Sequence, residues 1–421
     1  MVWVAEAARN VGARMRILFV AMAQVVHTAR WIGQLRGLGW DLHLFPALDE
    51  ALHADLEGVE VHEFLLPAPR GRRPRVRVKG AWPMPRGAYL ARRILGALSS
   101  SWADRAHRLA RVVHTVKPDI VHSMEIQHAA YLTFAARSHL PEGTFPPWLV
   151  SNWGSDIVLF GRLAAHVEKI RQVMSACDYY HCECHRDVTL GSKFGFEGEV
   201  TPVFPVTGGF EVERMRALRS PGPTSARRYI ALKGYQSWAG RALVGLRAIE
   251  LCADLLQDYR VFVYVASPDA RLAAELMSQA TGIPVEIESH ERTREDILRM
   301  HGRARISIGL SISDGISTSL LEAMVMGSFP IQSNTGCGDE WIACGENGLL
   351  VPPESPEEVA AALRRALTDD TLVDRAAETN GRLTAERIDA SVVRPKVMAM
   401  YENIAAQGRK TRSARHGLDT V

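Results

Sequence analysis

The densest set of residues able to handle an anionic, hydroxyl-rich ligand is Ser311-Ile-Ser-Asp-Gly-Ile-Ser-Thr-Ser-Leu-Leu-Glu-Ala-Met-Val-Met-Gly327. An apolar strand pattern ends near Ser311, a turn around Gly315 follows, and a helical pattern begins at Ser317–Ser319. Unpaired amides at a helix start, with the helix dipole behind them, bind anions. Ser317, Thr318 and Ser319 can cap that start and add hydroxyl donors. Asp314 precedes the turn and Glu322 falls in the first turns of the helix, where a carboxylate can accept two hydrogen bonds from a sugar diol. The same pattern also suits a plain loop-to-helix junction with an acid favoured by the dipole. Two cations, Lys233 and Arg241, stand in a second strand-end loop, Tyr229-Ile-Ala-Leu-Lys-Gly-Tyr-Gln-Ser-Trp-Ala-Gly-Arg241.

Other chemistries are excluded by pattern. No G-x-G-x-x-G follows the first strand, so a nicotinamide-dependent oxidoreductase is not expected, and there is no phosphate loop of the G-x-x-x-x-G-K-[ST] type. His181-Cys-Glu-Cys-His185 invites a zinc reading, but alternation along a strand puts Cys182 and Cys184 on one face and His181 on the other. We read these cysteines as packing thiols rather than metal ligands.

The order of acids, turn and helix, followed by Phe329-Pro-Ile-Gln-Ser-Asn334, resembles the C-terminal signature of the GT-B glycosyltransferases, in particular the large retaining group called family 4. That group carries two acids separated by seven residues and then an EAM-x-x-G-x-P run. Here Asp314 and Glu322 have that separation, and Leu321-Glu-Ala-Met324, Gly327 and Pro330 follow in register. Gly338-Asp-Glu-Trp-Ile342 and Gly345-Glu-Asn-Gly-Leu-Leu-Val-Pro352 continue the likeness, which spans about Met15 to Ile404.

The resemblance implies that Glu322 holds a nucleotide ribose and that the backbone of Gly315, Ile316, Ser317, Thr318 and Ser319 holds a diphosphate. Asp314, a shorter acid than the family's usual Glu, faces the hexose hydroxyls. Lys233 and Arg241 supply the basic pair against the diphosphate, at a wider spacing than usual, and with the helix-start amides they replace a metal in this family, so no metal and no cofactor is expected. Trp148-Leu-Val-Ser-Asn-Trp-Gly-Ser-Asp-Ile157 is similar to the family's H-G-S-D segment with Trp153 in the His position, which leaves Asp156 as the polar group there or as a helix cap. His122, Glu125 and His128, in a second strand-end cluster, either face acceptor hydroxyls or pack within the fold. His27 opens the helix after the first strand, where many relatives have a glycine-rich loop.

These residues need a scaffold, and the rest of the chain describes one. Its 421 residues suit two domains, and 47% apolar with 23% charged residues is ordinary for a globular protein. Strand patterns at Arg16–Val20, Asp41–Phe45, Asp119–His122, Trp148–Ser151, Tyr179–Cys184 and Val200–Phe204 alternate with helical ones. The alternation restarts with Arg228–Leu232, Arg260–Ala266, Val285–Ile287, Ile306–Ser311, Phe329–Gln332 and Leu349–Val351. Alternation of this kind predicts an α/β protein of two doubly wound, Rossmann-like domains facing a cleft, which the resemblance makes the GT-B arrangement. We expect a flexible leader at 1–14, an acceptor domain at 15–219, a Pro/Gly linker at 220–227 and a donor domain at 228–385. A helix at 386–405 returning to the first domain and an unstructured basic tail at 406–421 complete the reading.

The formal charge is only +3, too little to point to nucleic acid, although all but seven of the 50 basic residues are arginine. Cations concentrate between Arg70 and Arg93 without a carboxylate, including Arg72, Arg73, Arg75, Arg77 and Lys79. Such a loop is either simply solvated or docks on anionic lipid or phosphate. No apolar run is long enough to span a bilayer. The resemblance implies a transferase of a nucleotide-sugar donor (UDP-sugar favoured) and a hydroxyl acceptor, either glycan, glycolipid or small molecule, and we expect it to be cytoplasmic, either free or peripheral at the inner face of the membrane. The alternatives are an inverting transferase, a nucleotide-sugar epimerase, or a non-catalytic binder of the same fold.

Overall fold

The computed structural model describes residues 14–67, 72–84, 104–287 and 293–418. The chain divides into two units, one formed by 1–209 with 393–421 and the other by 210–392.

The first unit is built on an eight-stranded parallel sheet: β1 (Arg16–Ala21), β2 (Asp41–Pro46), β3 (Glu57–Pro67), β4 (Arg75–Met84), β5 (Ile120–Met124), β6 (Trp148–Ser151), β7 (Tyr179–His181) and β8 (Glu199–Val200). Their order is β4-β3-β2-β1-β5-β6-β7-β8. β1 shows why the sheet is parallel and covered on both faces. Ile17, Phe19 and Ala21 enter one apolar cluster while Leu18 and Val20 enter another, so both sides of the strand are buried. Strand order reverses between β1 and β5, and ligands bind at the carboxyl ends of strands beside such a reversal. β4 lies where the sequence suggested a basic loop, and β3 precedes it in a stretch that carried no strand reading. The basic stretch is in part an edge strand, with Val76 and Val78 packed against the core. The strands expected at Tyr179–Cys184 and Val200–Phe204 are shorter, ending at His181 and Val200.

The C-terminal helix, Ala390–Leu418, belongs mostly to this unit. Val393, Val397, Met400, Tyr401, Ile404 and Ala405 enter the cluster that holds Ile17, Phe19 and Trp31. The helix continues well past Ile404 into the stretch read as an unstructured tail, whose Arg, Lys and Ala residues favour helix. Residues 1–13 of the expected leader lie outside the described residues.

The second unit holds a six-stranded parallel sheet: β9 (Tyr229–Lys233), β12 (Arg260–Tyr264), β13 (Val285–Ile287), β14 (Ile306–Gly309), β15 (Phe329–Ser333) and β16 (Leu349–Val351), with a small hairpin of β10 (Gln236–Ser237) and β11 (Gly240–Arg241). The order β13-β12-β9-β14-β15-β16 is that of a dinucleotide-type fold, reversing between β9 and β14. The Pro/Gly segment read as a linker packs inside this unit. The Thr224 hydroxyl donates to the Gly327 carbonyl (2.7 Å), and the Ser225 amide and hydroxyl both donate to Asp374 (2.8 and 2.7 Å). Buried Arg305 holds the same segment by donating to the Ser225 carbonyl at 2.6 Å. The unit boundary falls earlier, between Gly209 and Phe210.

Candidate active site

In the second unit, the chain leaves β14 at Gly309 and turns through Asp314 and Gly315 into the helix Thr318–Val325. The loop after β15 braces this turn. The Cys337 amide donates to the Gly315 carbonyl (2.9 Å) and the Thr335 hydroxyl to the Ser311 carbonyl (2.5 Å). Gly336 permits the approach, because a Cβ there would lie 3.0 Å from the Gly315 oxygen. Ser317 sits at the N-cap, but its hydroxyl does not cap the helix; it pairs with the Ser319 hydroxyl at 2.9 Å. The Ser317 side-chain cap expected from the sequence is thus absent. Thr318 and Ser319 are half-buried, as is Asp314, whereas Gly315, Ile316 and Glu322 are buried. A Glu322 Oε1 lies 3.2 Å from the Arg294 Nε.

The cations stand on the neighbouring strand end. Lys233 is the last residue of β9, and its ammonium lies 5.0 Å from the centroid of the Tyr235 ring. Arg241 closes the β10–β11 hairpin. Its guanidinium donates to the Ser237 and Gly240 carbonyls and lies 3.3 Å from a Glu354 oxygen. Two backbone bonds fasten this hairpin to the β14 loop: Arg241 N to Leu310 O (3.0 Å) and Ile312 N to Trp238 O (3.1 Å). The basic loop and the acidic loop are therefore one construction at the β9/β14 reversal.

Sequence reasoning passed over the residues that support it. Gly234 donates to the Tyr264 carbonyl (2.8 Å), and a Cβ on it would sit 2.6 Å from the Ala266 Cα, so only glycine lets the β9 and β12 ends meet. The Tyr264 hydroxyl is hydrogen-bonded to Ser319, and burial pushes the phenol's pKa upward. Val265 holds φ +53°, a strained value for a β-branched residue. The glycine was visible in the sequence, but its contact is not local.

The first unit brings its candidates to the ends of β1, β5 and β6. His27 and Trp153 meet edge to face, ring centroids 5.5 Å apart. The Trp153 indole N–H is buried and has no hydrogen-bond partner among the described residues. Gly154, at φ +86°, makes the turn that the short helix Ser155–Val158 follows. Asp156 is buried and accepts hydrogen bonds from the Trp153 amide (2.8 Å) and the Ile126 amide (3.1 Å). Burial pushes its carboxyl well above the usual range and the Glu125 charge adds to this, while the Trp153 amide opposes it.

Glu125 has an unusual backbone, φ +85° and ψ 159°, and opens a π turn at Ile126–Ala130. Its carboxylate accepts from the amides of Gln127 (3.0 Å), His128 and Ala129 (2.7 Å). Those bonds occupy it as a cap rather than presenting it to an acceptor. His128, more exposed, lies 3.3 Å from Glu125 and has its pKa raised by that hydrogen bond. Of the two readings open for His122, the structure has the interior one and not the acceptor side. It is fully buried, bonded to the Tyr401 hydroxyl and the Ser151 hydroxyl at 2.7 Å each. Burial holds its pKa well below the usual imidazole range, with His181 adding to the effect.

The basic patch is less one-sided than its composition. Strand pairing sets Arg75 opposite Glu57 and Arg77 opposite Glu60. Arg75 lies 3.7 Å from a Glu57 oxygen, and Lys79 2.8 Å from a Glu60 oxygen. Arg72, Arg73 and Arg77 are exposed. Arg70, Arg86, Arg92 and Arg93 have no described side chains. No helix among the described residues is long and apolar enough to cross a membrane.

Comparison with known proteins adds sequence and fold likeness to this geometry. Residues 246–383 match the family described as glycosyl transferases group 1, and residues 91–178 match glycosyl transferase 4-like. A stretch of 99 residues is 34% identical to the phosphatidyl-myo-inositol mannosyltransferase of Mycobacterium tuberculosis, covering 23% of this chain and 26% of that protein. The Mycolicibacterium smegmatis mannosyltransferase is 36% identical over 95 residues, 22% of this chain and 23% of its own length. The alignments thus span about a quarter of these curated relatives. Among solved structures, sucrose-phosphate synthase from Thermosynechococcus elongatus superposes with a TM-score of 0.67 at 13% identity, over 94% of this chain and 100% of that one. Anabaena HepE in complex with UDP and glucose gives 0.60 at 15% identity, over 95% and 100%. Two parallel-sheet α/β units, a group 1 segment in the second and a 4-like segment in the first together place the chain: it belongs to the family 4-like glycosyltransferases of the GT-B fold.

Proposed function

We propose that this protein transfers a glycosyl group from a nucleotide diphosphate sugar to a hydroxyl acceptor. The observation that carries the proposal is the construction at the β9/β14 reversal, where an uncapped helix start, Asp314, Glu322, Lys233 and Arg241 are held on loops bonded to one another. In this reading the Gly315–Ser319 amides and the two cations receive the diphosphate and stabilise it as it leaves. Glu322 accepts from the ribose hydroxyls and Asp314 from the sugar. These groups supply the charge at the diphosphate, so the reading calls for no resident metal there.

UDP-sugar is the favoured donor, since HepE was solved with UDP and glucose. The mannosyltransferase relatives are named for a phosphatidyl-myo-inositol acceptor, which supports a lipid-linked or glycan acceptor and a cytoplasmic site of action at a membrane surface. We further propose transfer with retention: the acceptor attacks on the face the diphosphate leaves, and the leaving phosphate takes the acceptor proton. An inverting route needs a poised general base. Asp156, bonded to two amides and with a raised pKa, and buried His122 are poorly suited to that task. Asp156 acts here by setting the loops after β5 and β6, and His27 and Trp153 form the acceptor-side wall.

A thermal-shift screen of nucleotide sugars followed by transfer assays with the full chain tests the reading, because a ligand that prefers the folded state raises its stability. Stabilisation by a nucleotide sugar with donor turnover supports it. Binding without hydrolysis or transfer across a broad acceptor panel would leave a non-catalytic binder of the same fold instead.

A further inference from the structure

On the first unit's sheet, away from the strand ends used above, three side chains converge from adjacent strands. β2 and β3 are parallel with His43 paired to Glu60, and alternation puts His62 on the same face. The opposite face carries Leu42, Leu44, Val59 and Val61 into the core. The His43 Nδ1 lies 2.9 Å from the His62 Nε2 and 3.6 Å from a Glu60 Oε1, which is itself 3.4 Å from the His62 Nε2. A tetrahedral zinc ion with bonds of about 2.0–2.1 Å needs donor atoms about 3.3 Å apart. The triangle found here has those dimensions without any rearrangement of the strands.

The surroundings match as well. Both imidazoles are buried, 6% and 7% exposed, which favours the uncharged ring whose lone pair binds a metal. The far nitrogen of His43, Nε2, lies 3.3 Å from an Asp41 oxygen. A carboxylate at that position holds a ligating histidine in the tautomer that frees its other nitrogen. Arg14 and Arg16 (4.0 and 3.5 Å from Asp41) and Lys79 (2.8 Å from Glu60) are cations facing the cluster. Lys79 is 61% exposed, so its ammonium can swing into solvent when an ion takes the carboxylate. A hydrogen bond between the two rings is the competing account. It would use one nitrogen of each ring and leave Glu60 to Lys79 alone.

We infer that His43, Glu60 and His62 form a binding site for a divalent cation of the zinc class, completed by water and oriented by Asp41, which pins β3 to β2. This site is separate from the donor-binding residues and takes no part in the chemistry proposed for them. The test is competition of the chelator-stripped full chain with a chromogenic zinc indicator, together with the visible spectrum after Co2+ addition. The expected result is one zinc per chain, a d–d band typical of low coordination number, and a rise in melting temperature with zinc. Glu60→Gln, which keeps shape and fold, weakens uptake at least tenfold and removes the melting shift, and His62→Ala does the same. Absence of stoichiometric uptake by the wild type would overturn the inference, as would uptake that Glu60→Gln leaves unchanged.

Discussion

The Trp31 indole donates a hydrogen bond to the Tyr401 hydroxyl, 2.7 Å away in space and 370 residues away in the chain. The same hydroxyl reaches His122 Nδ1 at 2.7 Å, and His122 Nε2 meets Ser151, which lies 3.1 Å from the His181 Nδ1. A continuous buried polar chain therefore joins the C-terminal helix to the helix after β1 and to β5, β6 and β7. Buried groups in such a chain are costly to leave unpaired.

Tyr401→Phe keeps the ring but strands the Trp31 N–H and one nitrogen of His122. The expected loss is about 1–3 kcal/mol. Urea unfolding followed by fluorescence measures it, and nucleotide affinity should not change. A variant as stable as wild type would mean that water or a shifted side chain takes the hydroxyl's place.

The buried histidines make stability depend on pH. Burial lowers His181 to about 3 and His301 to about 4, and it lowers His122 as well. The unfolded chain therefore binds more protons than the folded one below the ordinary imidazole value. Their contribution is fully present above about pH 6.5 and is lost as pH falls toward 4 and below. Asp156, raised by burial, acts in the opposite sense, with its ionisation cost relieved as pH falls. Burial lowers His43, His53 and His62 as well, against Glu402 and His128, which are raised like Asp156, so the lowered histidines prevail in that window. Melting temperature should drop steadily between about pH 6.5 and pH 4; a flat profile there would contradict the burial of these rings.

Glu322→Gln and Lys233→Ala should each weaken nucleotide-sugar binding, by roughly tenfold for loss of a charged hydrogen-bond partner. Lys233 is only half-buried and its removal leaves the fold alone. Glu322→Gln keeps shape beside Arg294. Isothermal titration with UDP-sugars reads the effect, and unchanged affinity in both variants would remove the basis for the donor site.

Replacing Arg72, Arg73, Arg75 and Arg77 with Gln should reduce association with anionic vesicles, each cation contributing at most about 1 kcal/mol. Arg75 already faces Glu57 and Arg77 stands opposite Glu60, so Arg72 and Arg73 carry most of the change. Sedimentation with phosphatidylserine vesicles at two salt concentrations tests this. Equal binding by wild type and variant would assign the stretch to solvent.

What could be read from the chain depended on how local each cause was. β1 and β14 are short apolar runs, and the Asp314–Pro330 segment keeps turn, helix start and acids within one stretch, so the fold class and this strand–turn–helix loop were legible. Glu125 and His122 were not, because a left-handed backbone and a bond to Tyr401 are set by distant packing. The Pro/Gly segment misled for the same reason: partners at Asp374 and Arg305 turn it into a fastened crossing rather than a linker. β4 was hidden because Glu57 and Glu60, which face its cations, lie on another strand.

The second unit begins and ends at one place. The Phe210 amide donates to the Ile388 carbonyl (2.7 Å) and the Ala390 amide to the Phe210 carbonyl (2.8 Å). Topologically this unit is an insert whose two ends are stapled together, carried by a host whose own last segment is Val393 onward. A premature stop near residue 390 would thus spare the strands beside it in sequence and strip Val397, Tyr401 and Ile404 from the core built on residue 17. Expression of 1–209 alone should yield an aggregating fragment, and grafting 393–418 onto it through a short linker should restore solubility.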